Sequence, residues 1–210
     1  MHQFDALQYS LTKAELELLS FEAWFATVAF MGEAQIVKQI RARPHMCGLL
    51  CASGGIQAPD LIKFELTLSG LFRTDLVLGN SRTRGFVLVE FEGAGEHSLF
   101  SKLKKTRQYR SFAHPLEHGF GQIVDWAWLK NDNPNAITLT NAFGGAINSS
   151  AYLLICGRDQ GIVDDLERRR FEYRRHHTNV SGIPVHTLTY DGMVRELRQT
   201  LETAKTFTKT

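Results

Sequence analysis

The sequence predicts an α/β fold, a mixed central sheet flanked by helices, with element order α-β-β-β-α-β followed by α-β-α. Three stretches carry that expectation. Ile62, Phe64, Leu66 and Leu68 alternate with Lys63, Glu65, Thr67 and Ser69, the two-residue period of a half-buried strand. Residues 71–92 (LFRTDLVLGNSRTRGFVLVEFE) read as two strands rich in Leu, Val and Phe, at 72–78 and 85–92, joined by a polar turn at 79–84. Residues 151–156 (AYLLIC) form a continuous apolar run, as expected of a central strand covered on both faces.

The remaining elements follow in order. Thr12-Lys-Ala-Glu15 has capping-box spacing, with Thr12 as the N-cap of a first helix lined by Leu16, Leu19, Trp24 and Val28. Gly32 breaks it, and residues 33–42 form a second helical piece with Ile36, Val37 and Ile40 on its apolar face, ending before Pro44. Glu33 opens that piece, and a solvated helix-start carboxylate is its expected role. His45-Met-Cys47-Gly-Leu-Leu-Cys51 offers three zinc-type ligands but no second close pair, and its apolar neighbours predict buried thiols instead. Gly54-Gly55 and Pro59 mark a loop ahead of the strands. After them, Gly93-Ala-Gly95-Glu-His-Ser is a flexible turn without the third glycine and following helix of a dinucleotide fingerprint.

Residues 100–110 carry Lys102, Lys104, Lys105, Arg107 and Arg110. A basic run is ordinarily a solvated face, but this one follows an acidic strand, where a polyanion's phosphates need neutralising. Residues 116–130 predict a helix with Leu116, Ile123, Val124, Ala127 and Trp128 for packing, and His118 and Gln122 four apart on one face. Loops are expected at 131–135 and 141–150. Residues 164–177 (DDLERRRFEYRRHH) place acids first and bases last, as a helix dipole favours, and their arginines are read as surface. A short strand at 184–188 and an amphipathic helix at 190–204 complete the chain.

Composition bounds the function classes. The 210 residues are 43% hydrophobic and 22% charged, ordinary for a globular domain, and the net charge of +2 does not by itself mark a nucleic-acid binder. Residues 1–54 are expected to be a helical segment of the same fold and 55–210 its core with an αβα extension. Cys47, Cys51 and Cys156 are sparse and odd in number, which fits a reducing compartment. No signal pattern opens the chain, and the longest apolar run, at 23–31, is too short to span a bilayer. A cytoplasmic protein with no membrane partner is expected.

The chemistry concentrates on the hairpin. Side chains alternate along a strand, so Glu90 and Glu92 share one face while Val87, Val89 and Phe91 share the other. If Leu78 pairs with Gly85, Asp75 falls opposite Leu88 and diagonal to Glu90, on the face of the two glutamates. Repulsion and desolvation both oppose such a gathering, and a divalent cation is the simplest compensation. Surface ion pairs with Arg73, Arg82 and Arg84 are the competing explanation.

These residues resemble the PD-(D/E)xK nuclease superfamily, and more closely the C-terminal nuclease domain of the Shedu antiphage defence proteins. The resemblance lies in Thr74-Asp75-Leu76-Val77, Val87-Leu-Val-Glu90-Phe-Glu92, Leu99-Phe100-Ser101-Lys102 and the stretch from Leu116 through Gln122-Ile-Val-Asp125-Trp126. Later landmarks are Ile155-Cys-Gly157-Arg158 and His186-Thr187-Leu188-Thr189-Tyr190-Asp191. Gln122-x-x-x-Trp126 is also similar to the Q-x-x-x-Y motif of RecB-like nucleases. The resemblance implies a restriction-endonuclease-like αβββαβ core and a metal-dependent DNA endonuclease of phage defence using Mg²⁺ or Mn²⁺. Asp75 and Glu90 are then metal ligands, Glu92 a ligand or water-orienting group, and Gln122 a polar contact to water or phosphate. Glu92 stands where the superfamily has lysine, and Lys102, with Lys104 as alternative, is the candidate replacement. Possible DNA contacts are His118, Lys104, Lys105 and Arg107. DNA and further copies of the chain are the expected partners. A nuclease-like DNA-binding or assembly module without catalysis is the alternative.

Overall fold

The computed structural model describes residues 3–208. A short edge strand β1 (Asp5–Ala6) precedes three helices, α1 (Leu11–Phe25), α2 (Glu33–Arg41) and α3 (Pro44–Gly48), the last running into a 3₁₀ turn at Leu49–Gly54. The strands β2 (Leu61–Phe64), β3 (Thr67–Leu68), β4 (Phe72–Arg73), β5 (Leu76–Asn80) and β6 (Gly85–Phe91) follow. Then come α4 (His114–Asp132), α5 (Ile137–Phe143), β7 (Ser149–Ile155), α6 (Asp165–His177), β8 (Asn179–Val180), β9 (Ile183–Leu188) and α7 (Tyr190–Thr208).

Seven strands form one mixed sheet in the order β1-β2-β5-β6-β7-β9-β8. β2, β5 and β6 are an antiparallel meander, whereas β6, β7 and β9 are parallel neighbours. Their crossovers run through α4–α5 and α6, as parallel strands require. The sheet separates two apolar cores. Leu76, Leu78, Val87, Val89, Phe91, Leu153 and Ile155 face α1, α2, α3 and α7, while Val77, Phe86, Leu88, Tyr152, Leu154 and Val185 face α4, α5 and α6. β7 is covered on both faces, as its unbroken apolar run predicts.

Several details depart from expectation, each for a local reason. Ser10, not Thr12, caps α1, its side chain accepting from the Lys13 amide. The buried stripe of α1 is Ala14, Leu18, Phe21 and Phe25, with Leu16 and Leu19 exposed; the stacked Phe21–Phe25 pair decides which face turns inward. On α4, Trp126 is buried and Val124 and Trp128 are exposed. The loop expected at 141–150 is shorter than predicted: α5 fills the interval before it and runs on through Phe143, and β7 already begins at Ser149. The predicted strand at 62–68 is broken where Glu65 adopts φ 54°. This left-handed residue reverses the faces, so Ile62 joins one core while Leu66 and Leu68 join the other. The predicted strand at 72–78 is likewise split, its first two residues pairing with β3.

The hairpin register also differs. Asn80 pairs with Gly85 and Leu76 with Val89. Asn80 Oδ1 accepts from the Arg82 and Thr83 amides and Arg84 takes φ 59°, so the turn occupies only residues 81–84. Continuing this register by one step sets Asp75 opposite Glu90 instead of Leu88.

Candidate metal centre

The alternation along β6, continued one residue past its end, turns Glu90 and Glu92, with Phe86 and Leu88, toward α4, and Asp75, just before β5, shares that face with Val77. The Asp75 carboxylate is held by the strand itself, accepting from the Phe91 amide at 2.8 Å. The carboxyl end of β6 is fixed from three sides. The Glu92 amide donates to the Ile155 carbonyl at 2.8 Å, and the buried Tyr190 hydroxyl donates to the Glu92 carbonyl at 2.7 Å. Met31 and Ala94 form a two-bond bridge that brings the first turn of α2 beside Glu92.

On the opposite wall, α4 presents His118 and Gln122. His118 Nδ1 lies 2.7 Å from Glu92 Oε1. Gly119 lets the helix come this close: a Cβ there would sit 2.4 Å from Leu154 Cδ1 and 3.1 Å from Glu92 Cγ. The result is a cleft of about 280 Å³ lined by Glu33, Asp75, Glu90, Glu92, His118 and Gln122, with Leu71, Phe72 and Arg73 at its mouth.

The electrostatics of this cleft are unfavourable for an empty carboxylate cluster. Glu90 and Glu92 are only 6% and 5% exposed. Burial pushes the Glu90 carboxyl up to about 9, with Asp75, Glu92 and Glu33 adding repulsion in that order. Asp75 is pushed up to about 6, again by burial first, against the opposing Phe91 amide. Glu92 is raised by burial and held back by its bond to His118. Among the described residues, Arg73, Arg82 and Arg84 make no ion pair with these three acids. Arg73 lies 3.6 Å from Glu65, and Arg84 donates to the Phe143 and Ala146 carbonyls.

One ligand atom from each of Glu90, Glu92 and His118 lies within 4.8 Å of the others. Carboxylate oxygens with one imidazole suit a hard or borderline divalent ion, and the buried, mutually repelling acids supply the charge such an ion would neutralise. The donor set therefore fits a divalent metal ion, and Asp75, which lines the same cleft, is not one of the three residues whose ligand atoms lie together.

Asp75, Glu90, Glu92, His118 and Gln122 are thus gathered in one place. Lys102, Lys104, Lys105 and Arg107 are not part of the lining. Their segment is closed off by an isolated Phe100–Phe112 bridge and by the Ser101 amide on the Ser111 carbonyl, and exposes all four side chains. Glu33, expected as a solvated helix-start acid, is exposed at the start of α2 and also faces the cleft. Its sequence position does not announce this, because the Met31–Ala94 bridge that places it joins residues far apart in the chain. Arg73, read only as an ion-pair partner, stands at the cleft mouth, and its adjacency to the Thr74-Asp75 motif is the signal that pointed there.

No curated protein matches the chain. The family model described as the C-terminal part of the Shedu protein SduA matches residues 25–194, a span running from the end of α1 into α7 that holds every acid of the cleft. The chain belongs to the Shedu protein SduA C-terminal family.

Proposed function

We propose that this protein is a metal-dependent DNA endonuclease acting in the cytoplasm in bacterial defence against phage, with DNA as its partner and a homo-oligomer as its assembly. One observation carries the reading: Asp75, Glu90 and Glu92 converge in a cleft where no lysine or arginine among the described residues forms an ion pair with them, and imidazole and amide side chains face them across it. Asp75, Glu90 and Glu92 would hold Mg²⁺ or Mn²⁺, with His118 either completing the ligand set or opposing, through their hydrogen bond, the upward push of burial on the Glu92 carboxyl. A bound divalent ion would polarise the phosphoryl group and make a bound water nucleophilic near neutral pH. Gln122 can orient water or a phosphate oxygen by donating from its amide. Arg73 neutralises phosphate charge at the mouth, and the exposed Lys102, Lys104, Lys105 and Arg107 contact the DNA backbone.

Supercoiled circular DNA incubated with Mg²⁺, Mn²⁺ or chelator tests this function. Metal-dependent nicking or linearisation, abolished in Asp75→Ala and Glu90→Ala with the fold retained, is the expected result; cleavage surviving both changes would place the chemistry elsewhere. A second function, a nuclease-like DNA-binding module without catalysis, is favoured by one feature: no lysine among the described residues lines the cleft, and Glu92 stands where the superfamily motif has one. DNA binding without metal-stimulated scission would establish it.

A further inference from the structure

A second concave surface lies along α6. α6 and Phe112 form an open groove of about 600 Å³ lined by Phe112, Arg169, Arg170, Tyr173, Arg174 and His177. Its walls are stiff. The Arg170 guanidinium is held among Phe112, Tyr109 and Phe100, 4.9, 5.0 and 5.4 Å from their ring centres, and donates to the Arg110 carbonyl at 2.6 Å. Arg174 lies 4.6 and 4.4 Å from the Phe112 and Phe120 rings and pairs with Glu117 on α4 at 2.6 and 2.8 Å. At the rim, Tyr173 stacks on His177 with ring centres 4.0 Å apart and planes 13° from parallel, yet Tyr173 is 68% exposed.

The charge is one-sided. Glu117 neutralises Arg174, but Arg169 and Arg170 have no carboxylate partner among the described residues. Phe112, which also lines the groove, follows the segment of residues 102–107 that carries the exposed Lys102, Lys104, Lys105 and Arg107. A packed aromatic surface with fixed cations and an open stacked ring pair suits a ligand alternating flat apolar rings with anions. That is unpaired nucleic acid: bases stack on aromatic faces while guanidinium groups take the phosphates. A duplex hides its base faces and would reach only the arginines.

We propose that this groove binds a single-stranded DNA segment, with a base stacked on Tyr173 and His177 and phosphates on Arg169 and Arg170. Arg174 of the groove contacts Glu117 and Phe120 on α4, the helix that carries His118 and Gln122 into the cleft, so one helix links the two surfaces. The inference deepens the nuclease function above: the strand held here would be one splayed away from a duplex lying at the cleft.

Fluorescence anisotropy of the full chain in chelator tests it, with labelled oligothymidylate, an abasic oligonucleotide of equal length, and a duplex. Tyr173→Ala should weaken oligothymidylate binding about tenfold, the loss of one stacked base, and leave abasic binding unchanged. Tyr173→Phe should bind as wild type does. Arg169→Ala should weaken both single strands and lower the salt slope by about 0.7 for one lost phosphate contact. Equal binding of oligothymidylate by wild type and Tyr173→Ala, or equal wild-type affinity for abasic and normal strands, would overturn the assignment. Self-association lost in Tyr173→Ala, without effect on DNA, would give the groove to a second copy and overturn it too. Plasmid cleavage is scored separately: cleavage with no Tyr173 effect on binding sinks the groove alone, and a Tyr173 effect without cleavage sinks the nuclease function alone.

Discussion

Replacing Glu90 by glutamine should stabilise the metal-free protein, although it alters a buried polar residue. In the fold the Glu90 carboxyl is pushed from its ordinary 4.5 to about 9, chiefly by burial and then by Asp75, Glu92 and Glu33. An acid whose folded pKa is raised keeps its proton in the native state and loses it in the unfolded chain. Stability is therefore full below about pH 4.5 and falls as pH rises toward 9. At pH 7.5 the group is held protonated about three pH units above its unfolded value, an upper bound of about 4 kcal/mol at 1.36 kcal/mol per unit. Sharing of charge with Asp75 and Glu92 reduces this, so Glu90→Gln should gain about 1–3 kcal/mol at pH 7.5. Urea unfolding followed by circular dichroism in chelator, at pH 5, 7.5 and 9, measures it: the wild type should weaken across the series and the variant much less. Added Mn²⁺ should reverse the order, since an ion bound only by the native state at one hundred times its Kd stabilises by about 2.7 kcal/mol, and the variant lacks a ligand. A wild type whose stability ignores pH and Mn²⁺ alike would refute the reasoning.

Three other perturbations probe the same cleft. His118→Ala removes the bond that holds the Glu92 carboxyl down, so burial and Glu33 push it higher and protons compete better with metal. Mn²⁺ affinity by calorimetry should drop at pH 6.5 and largely recover by pH 8.5, whereas equal loss at both would mean direct ligation by the imidazole. Gly119→Ala would ordinarily strengthen a helix by about 1 kcal/mol, yet its Cβ would meet Leu154 at 2.4 Å and Glu92 at 3.1 Å. A net loss of about 1–3 kcal/mol in urea unfolding and a parallel loss of metal affinity are expected. Arg73→Ala should slow plasmid cleavage about tenfold or more, whereas Lys102→Ala should act mainly through DNA affinity and salt dependence. The reverse pattern would restore Lys102 as the cleft's displaced lysine.

Much of this molecule is legible in local pattern. The apolar run of β7, the alternation of β6 and the four-residue spacing of His118 and Gln122 are consequences of strand and helix geometry, and they suffice to turn Glu90, Glu92 and α4 toward one another. The features that escape such patterns depend on single backbone states or distant partners. Glu65 at positive φ redirects Leu66 and Leu68 to the opposite core, and periodicity carries no trace of one left-handed residue. The Asn80 side chain shortens the turn and moves Asp75 from opposite Leu88 to opposite Glu90. Glu33 reaches the cleft through a bridge to Ala94, and Lys102 stays outside it because its loop is closed at Phe100 and Phe112.

The most direct test of the central claim is an anomalous difference map from crystals soaked in Mn²⁺. A peak among the Asp75, Glu90 and Glu92 carboxylates, absent in Glu90→Gln, is the expected result. A cleft without a peak at saturating Mn²⁺, or a peak unaffected by the substitution, would contradict it.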